Sequence, residues 1–504
     1  EYVVWYSGQA FLGLKDPRSA VGYFSKISPD SELASSARYQ LLRCKIMEHE
    51  PLTAGEKYFR ARYLSEHKFF PEAENAWSEF IHSCPTDAHL ADAYVYLGMA
   101  RFRNGRMNQA LPDWARGISG YAANADTAEY YTAYYYDLIG DTAAAIRHYE
   151  LLARNYSKSD WADDGLWRVG QVYYLRQDYR SAARTFAWVA GKFPHSDRAD
   201  ECLYWWGLSL EKLGYSSKAQ DCFRILATKY DHSFSVFRAK DRLEISYLPD
   251  SSDFGDRTAM VDLPQVDELM ALKLYQPAAA AIRFHLAKSD DEQWAAILLK
   301  YIPLYYKRGE YYTGITLAED LISEEINRRT SVTAAVVKLI YPQGFSEYVE
   351  RYAAQFQLEP ALVYALIREE SRFNPRAKSW AQAYGLTQII PATGYGIAKN
   401  LKMPNFYVGK LFDPETSIKM GCFYLANLNQ RLGSTVLAIA GYNGGPGSAQ
   451  RWWKNNGHKN FDDFIASHHY RETRRYIQKV LGSFYEYKRL YGESEAAAVE
   501  KWGE

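Results

Sequence analysis

The chain has 504 residues, 60 basic against 60 acidic, and 47% apolar side chains. That length is too great for one core, so about three folded domains are expected. The balanced charge argues against nucleic acid as a partner, and no run of 18 apolar residues occurs, so no membrane span is predicted.

Residues 1 to about 245 carry a repeat. A small residue is followed by Ala twelve positions on and an aromatic sixteen positions on. The pattern fits Gly8, Ala20, Phe24; Ala61, Ala73, Trp77; and Gly98, Ala110, Trp114. It recurs at Ala133, Ala145, Tyr149; Gly170, Ala182, Phe186; and Gly207, Ala219, Phe223. From Ala61 onward the starts are 37, 35, 37 and 37 residues apart. Each unit reads as two amphipathic helices, with small residues allowing close approach and the aromatic filling the gap. A stack of such pairs makes a curved α-solenoid. The long gap between Gly8 and Ala61 leaves room for an extra helix, ARYQLLRCKIMEH. Most of the 43 tyrosines are expected to pack within this stack, although Tyr also suits a sugar-binding groove.

Residues 247–263, rich in Asp, Ser and Gly, read as a loop or boundary. Its acids lack the spacing of a calcium loop, so no metal is assigned there. Helical patterns resume over 264–340 and continue the solenoid into the last domain. The expected division is 1–250, 251–340 and 341–504. Cys44, Cys84, Cys202, Cys222 and Cys422 are scattered without ligand spacing and read as free, mostly buried thiols. A chain opening at Glu1 rather than Met is consistent with a processed N-terminus, so export is not legible in it.

The last domain opens at Tyr341-Pro342-Gln343-Gly344. LEPALVYALIREES follows, with Pro360 at a first helical turn and a stripe of Leu362, Val363, Leu366 and Ile367. Asn374-Pro375 stops it. Glu370 lies three and four residues after Ile367 and Leu366, and Glu369 neighbours Leu366 and Ala365, so helical spacing does not choose between them. Either acid meets the negative end of the helix dipole and some desolvation, and both effects raise a carboxyl pKa above about 4.3. A carboxyl protonated near neutrality is what a general acid for glycosidic cleavage must be. A solvated Glu-Glu pair at a frayed helix end is the plainer alternative. Beyond it come a second apolar segment over 385–398 with one amide, Gln388, a helix over Pro414–Leu432, another over Val436–Tyr442, and the Gly-rich NGGPG at 443–447. A closing helix lies within the stretch that begins FDDFIASHHYRETRRYIQKVL. His468-His469 has no helical partner His, so no metal role is assigned. No strand alternation is visible, and the fold class is all-α.

Four pieces now line up: EES at 369–371, GLTQIIP at 385–391, GYNGGPG at 441–447 and RETRRYIQKVL at 471–481. This set resembles the soluble lytic transglycosylase family, whose catalytic domain is goose-type-lysozyme-like and follows a tetratricopeptide-like α-superhelix. The resemblance implies that the family's Glu-Ser pair falls on Glu370-Ser371, making Glu370 the sole catalytic acid and base. It implies a glycan groove lined by Ser371, Ser379, Gln388, Tyr442, Asn443 and Glu472. It also implies a periplasmic enzyme without cofactor or metal, acting on peptidoglycan glycan strands, with the solenoid positioning strands or meeting cell-wall proteins. The product implied is a 1,6-anhydromuramoyl end, reached with help from the substrate's own N-acetyl group, since no second acid lies at a motif position suited to be nucleophile. The chain departs from the family at Gln382, Tyr384, Thr387, Ile390, Gly441 and Gly444, which bears on the subsite around 382–390. Gln388 also suits a structural amide, Tyr442 core packing, Asn443 a tight turn, and Glu472 a pair with Arg471, Arg474 or Arg475. Two rival functions remain: a hydrolytic goose-type muramidase, and a non-catalytic glycan-binding repeat scaffold.

Overall fold

The computed structural model describes residues 2–31, 33–194, 196, 198–230, 233–245, 258, 261–323, 325, 333–379, 381–456, 461–467 and 471–492. Among these residues the structure is helical, with no strand beyond two isolated bridges, Lys378–Tyr384 and Tyr384–Ile389. Most of the loop expected at 247–263, and the His468-His469 pair, lie outside the described residues.

The chain divides into two compact units, Glu1–Val172 and Tyr173–Glu504. The first is built of antiparallel helix pairs such as Leu90–Arg103 with Met107–Ser119 and Ala125–Leu138 with Thr142–Asn155. The extra helix expected between the first two repeats is present over Ala34–Met47. The repeat register explains the packing. Ala73, Trp77, Ala110, Trp114, Ala133 and Ala145 are all fully buried. A Cβ on Gly98 would sit 2.5 Å from the Trp114 ring, so the small first residue is what lets the aromatic lie flat against the partner helix.

The second unit begins with the last repeat helices, Ala199–Lys212 and Ser216–Lys229, followed by Phe234–Arg242. Helices Pro264–Ala271, Tyr275–Leu286, Asp291–Lys307 and Tyr311–Ile322 follow. One continuous apolar core then runs from these into the helices beyond 341. The Arg471–Tyr491 helix is the axis of that last region, packing against Pro360–Ser371 on one side and Thr435–Gly444 on another.

Polar ties fix the last repeat helices to this region. Asp462 is buried and accepts from Arg238 Nη2 at 2.9 Å, Arg238 Nε at 3.2 Å and the Tyr204 hydroxyl at 3.1 Å. Those cations hold its carboxyl below the usual range despite the burial that opposes them. Gln478 donates to Glu201 at 2.8 Å. The five cysteines are free thiols, all but Cys84 buried. Among the described residues no helix is long and apolar enough to cross a membrane, and no three His, Cys, Asp or Glu side chains gather as a metal site requires.

Candidate active site

The Pro360–Ser371 helix is buried over Leu362–Arg368 and ends when Arg372 adopts a left-handed conformation, φ 47 and ψ 43. Its last turn therefore delivers Glu369 and Glu370 at the edge of the core, and the two acids find different surroundings.

Glu369 accepts from Arg368 Nη1 at 2.5 Å and from the Ser483 hydroxyl at 2.6 Å. Arg368 is itself buried and also bonds Glu319 at 2.6 Å and the Ile340 carbonyl at 3.2 Å. Glu369 is thus one arm of an ion network in which a buried guanidinium has two carboxylates.

Glu370 has no cation among its hydrogen-bond partners. Its Oε1 accepts one bond, from the Tyr476 hydroxyl at 2.5 Å. Burial lifts its pKa to about 7, and the nearby Glu369 charge adds to the rise, while the Tyr476 bond opposes it. The residue as a whole is only partly buried. Tyr476 and Tyr442 are both pushed well above the ordinary phenol range, first by burial and then by the Glu370 charge.

The loop facing Glu370 is built by strained turns. Gly385, at φ +75, has no room for a side chain: a Cβ there would lie 1.8 Å from the Leu411 carbonyl oxygen. Gln388 takes φ 49, and its amide nitrogen donates to the carbonyls of Ala377 at 3.2 Å and Gly385 at 2.8 Å. These left-handed positions are why the apolar segment at 385–398 is not helical from its start; the helix runs Pro391–Asn400. The Ser371 hydroxyl donates to Ile367 and, at 2.9 Å, to the Leu386 carbonyl, clamping the end of the acid-bearing helix to this loop. Tyr442 clamps it from the other side, donating to the Thr387 carbonyl at 2.8 Å. Thr387 is buried against Ser417, and Gly421 leaves the space its methyl fills.

The comparisons with known proteins fit this arrangement. The transglycosylase SLT domain matches residues 347–465, and a tetratricopeptide repeat matches 127–159. The soluble lytic murein transglycosylase of Salmonella typhimurium is 27% identical over 357 residues, 68% of this chain and 52% of that one. In both its transglycosylase SLT domain and its helical repeats the chain is similar to the soluble lytic transglycosylases. It spans about half the length of the curated relatives it matches. Two solved structures share the fold. The Pseudomonas aeruginosa lytic transglycosylase Slt, an inactive glutamate-to-glutamine mutant, superposes with a TM-score of 0.60 at 18% identity, covering 97% of this chain and 81% of that one. The 70 kDa soluble lytic transglycosylase of Escherichia coli gives 0.50 at 16% identity, covering 99% and 98%.

Beyond residue 341, the residues singled out by sequence have distinct positions. Ser371, at the end of the Glu370 helix, and Tyr442 each hydrogen-bond the loop that carries Gln388. Ser379 closes the next turn: its backbone and hydroxyl each pair with Ala383 at 3.0 Å. Asn443 is exposed, and its Oδ1 accepts from Thr473 at 2.9 Å, which leaves the amide NH₂ to face outward. Glu472 is exposed in the first turn of Arg471–Tyr491 and makes no ion pair among the described residues. Tyr476, the donor to Glu370, was not singled out. It lies 106 residues from its partner, and nothing local separates it from the other tyrosines of the chain. Its place on the inward stripe with Thr473, Ile477 and Val480 is the one signal that could have pointed to it.

Proposed function

We propose that the chain is a peptidoglycan lytic transglycosylase that cleaves the β-1,4 bond between N-acetylmuramic acid and N-acetylglucosamine without water. The observation that carries the reading is the Glu370 environment: a carboxyl lifted to about 7, bound by one phenol and by no cation. The protonated Glu370 gives its proton to the glycosidic oxygen as the C1–O bond breaks. The substrate's acetamido oxygen then bonds C1 in place of a protein nucleophile. Glu369 does not compete for that role, since Arg368 and Ser483 hold it. The Tyr476 hydroxyl stabilises the carboxylate left behind. Glu370 next takes the proton of the sugar's own 6-hydroxyl. O6 displaces the acetamido oxygen from C1, leaving a 1,6-anhydromuramoyl end and a regenerated acid.

The other residues hold the glycan. Tyr442 offers a ring face, and the free NH₂ of Asn443 and the amide oxygen of Gln388 suit acetamido and hydroxyl groups. Ser371 and Ser379 act by shaping the groove wall, and Glu472 meets the strand at its rim. The solenoid positions strands or cell-wall proteins, and the substrate places the protein in the periplasm.

The test is digestion of purified sacculi. The wild-type chain releases muropeptides with anhydro ends by mass spectrometry, and Glu370→Gln releases none. Reducing ends would instead mark a muramidase. Binding without soluble product would mark a glycan-binding scaffold, and full activity in Glu370→Gln would end the assignment.

A further inference from the structure

The Ser346–Phe356 and Pro360–Ser371 helices join in a sharp bend, with Gln357 left-handed at φ 54 and ψ 46. This bend faces the last turns of Pro414–Leu432 across a cavity of about 610 Å³. Its wall includes Phe356, Gln357, Phe423, Asn427, Asn429 and Gln430. No Asp, Glu, Lys, Arg or His lines it, although 24% of the chain is charged. The side-chain amides of Gln357, Asn427 and Gln430 have no hydrogen-bond partner among the described residues, and that of Asn429 has one long bond, 3.4 Å from Thr435. Phe356 and Phe423 meet edge to face at 5.8 Å, so ring surface is presented among the amides.

This composition selects a ligand class. An anion would find no cation, and a metal would find no carboxylate. An apolar helix would leave amide groups buried without partners, at about 1–3 kcal/mol each. Each primary amide offers two donors and an acceptor, the complement of acetamido and hydroxyl groups, and the rings suit the apolar face of a pyranose. The volume lies in the range of small-ligand sites. Leu358, in the wall, precedes the first residue of the Pro360–Ser371 helix, and Glu370 lies at its far end, ten residues or about 15 Å along at 1.5 Å per residue, so the cavity is separate from the acid.

We infer that this cavity is a second glycan site, binding neutral N-acetylhexosamine units of a strand whose scissile bond lies elsewhere. The choice of strand rests on the function proposed above; the choice of sugar rests on the cavity.

Isothermal titration of the full chain with chitotetraose, a neutral N-acetylglucosamine oligomer, tests it. The Glu370→Gln protein, which cannot cut the probe, is expected to bind two equivalents. Adding Asn427→Ala and Gln430→Ala, which favour the helix they sit on, removes one equivalent or weakens it at least tenfold. Gln357→Gly, which keeps the left-handed bend, weakens the same equivalent. If the catalytic reading is wrong and the groove at Glu370 binds nothing, a single equivalent remains and is lost in the double variant, which still supports the cavity. Stoichiometry and affinity unchanged by the double variant, or no binding at all, would overturn the inference.

Discussion

Glu370→Gln has a consequence separate from activity: the folded chain becomes more stable, and only above a certain pH. In the unfolded chain this carboxyl titrates near its ordinary 4.5, and in the fold near 7. Below about pH 4.5 both states hold the proton and the group contributes no difference. Between 4.5 and 7 the unfolded chain releases the proton while the fold retains it, so stability falls as pH rises. Above 7 the whole cost is present, about 3 kcal/mol at about 1.4 kcal/mol per pH unit. Partial access to solvent trims this to about 2–3 kcal/mol. The amide introduced by Glu370→Gln would still accept from Tyr476 but carries no charge to desolvate. Thermal melts of the two proteins should therefore coincide near pH 4 and separate by about 4–12 °C near pH 8, at roughly 2–4 °C per kcal/mol. A difference that does not change with pH, or that is larger in acid, would refute the claim that burial of an ionisable carboxyl sets the proton affinity of this site.

Two further outcomes test the site's construction. Tyr476→Phe removes the bond that favours the ionised carboxylate, worth about 1.5–3 kcal/mol for a charged acceptor. The basic limb of the kcat/KM profile, where the acid loses its proton, should move up by about one pH unit or more, while the fold is kept. Gly385→Ala drives a Cβ into the Leu411 carbonyl and should cost more than about 3 kcal/mol or leave the 385–391 loop misplaced. Activity on sacculi then falls far more than the melting of the remaining helices, followed by circular dichroism.

Some of this was legible in the chain, for physical reasons that differ by residue. The spacing of Ala73 with Trp77, or Ala110 with Trp114, states a helical period and a size complementarity, and both survive folding because neighbouring turns make the contact. That one acid of the Glu369–Glu370 pair would be raised by desolvation was legible because the apolar stripe beside it is local, but which of the two was not. The Tyr476 bond, the Arg368–Glu319 pair and the Ser483 hydroxyl were not, since each partner arrives from a distant helix and no period links them. Gln388 shows the same limit in another form. Its backbone is left-handed and its amide nitrogen donates to the carbonyls of Ala377 and Gly385, and only that folded geometry reveals that the nitrogen is already used.

The two adjacent acids give the sharpest statement of how the site works, because the fold treats them oppositely. Glu369→Gln removes a charge that raises Glu370, whereas Tyr476→Phe removes a bond that lowers it, so the two variants must move the basic limb in opposite directions. In Glu369→Gln, Arg368 keeps Glu319 as counter-ion, and the amide can still accept from Arg368 and Ser483. The loss of stability is then about 1–3 kcal/mol, short of unfolding. The limb should fall by up to about one pH unit, which lowers activity at pH 7 by up to about fivefold without ending it. The double variant should return the limb toward its wild-type position if the effects act on the one proton. A Glu369→Gln profile that shifts upward, or activity lost as fully as in Glu370→Gln, would mean that Glu369 shares the chemistry and that the division of roles between the two carboxylates is wrong.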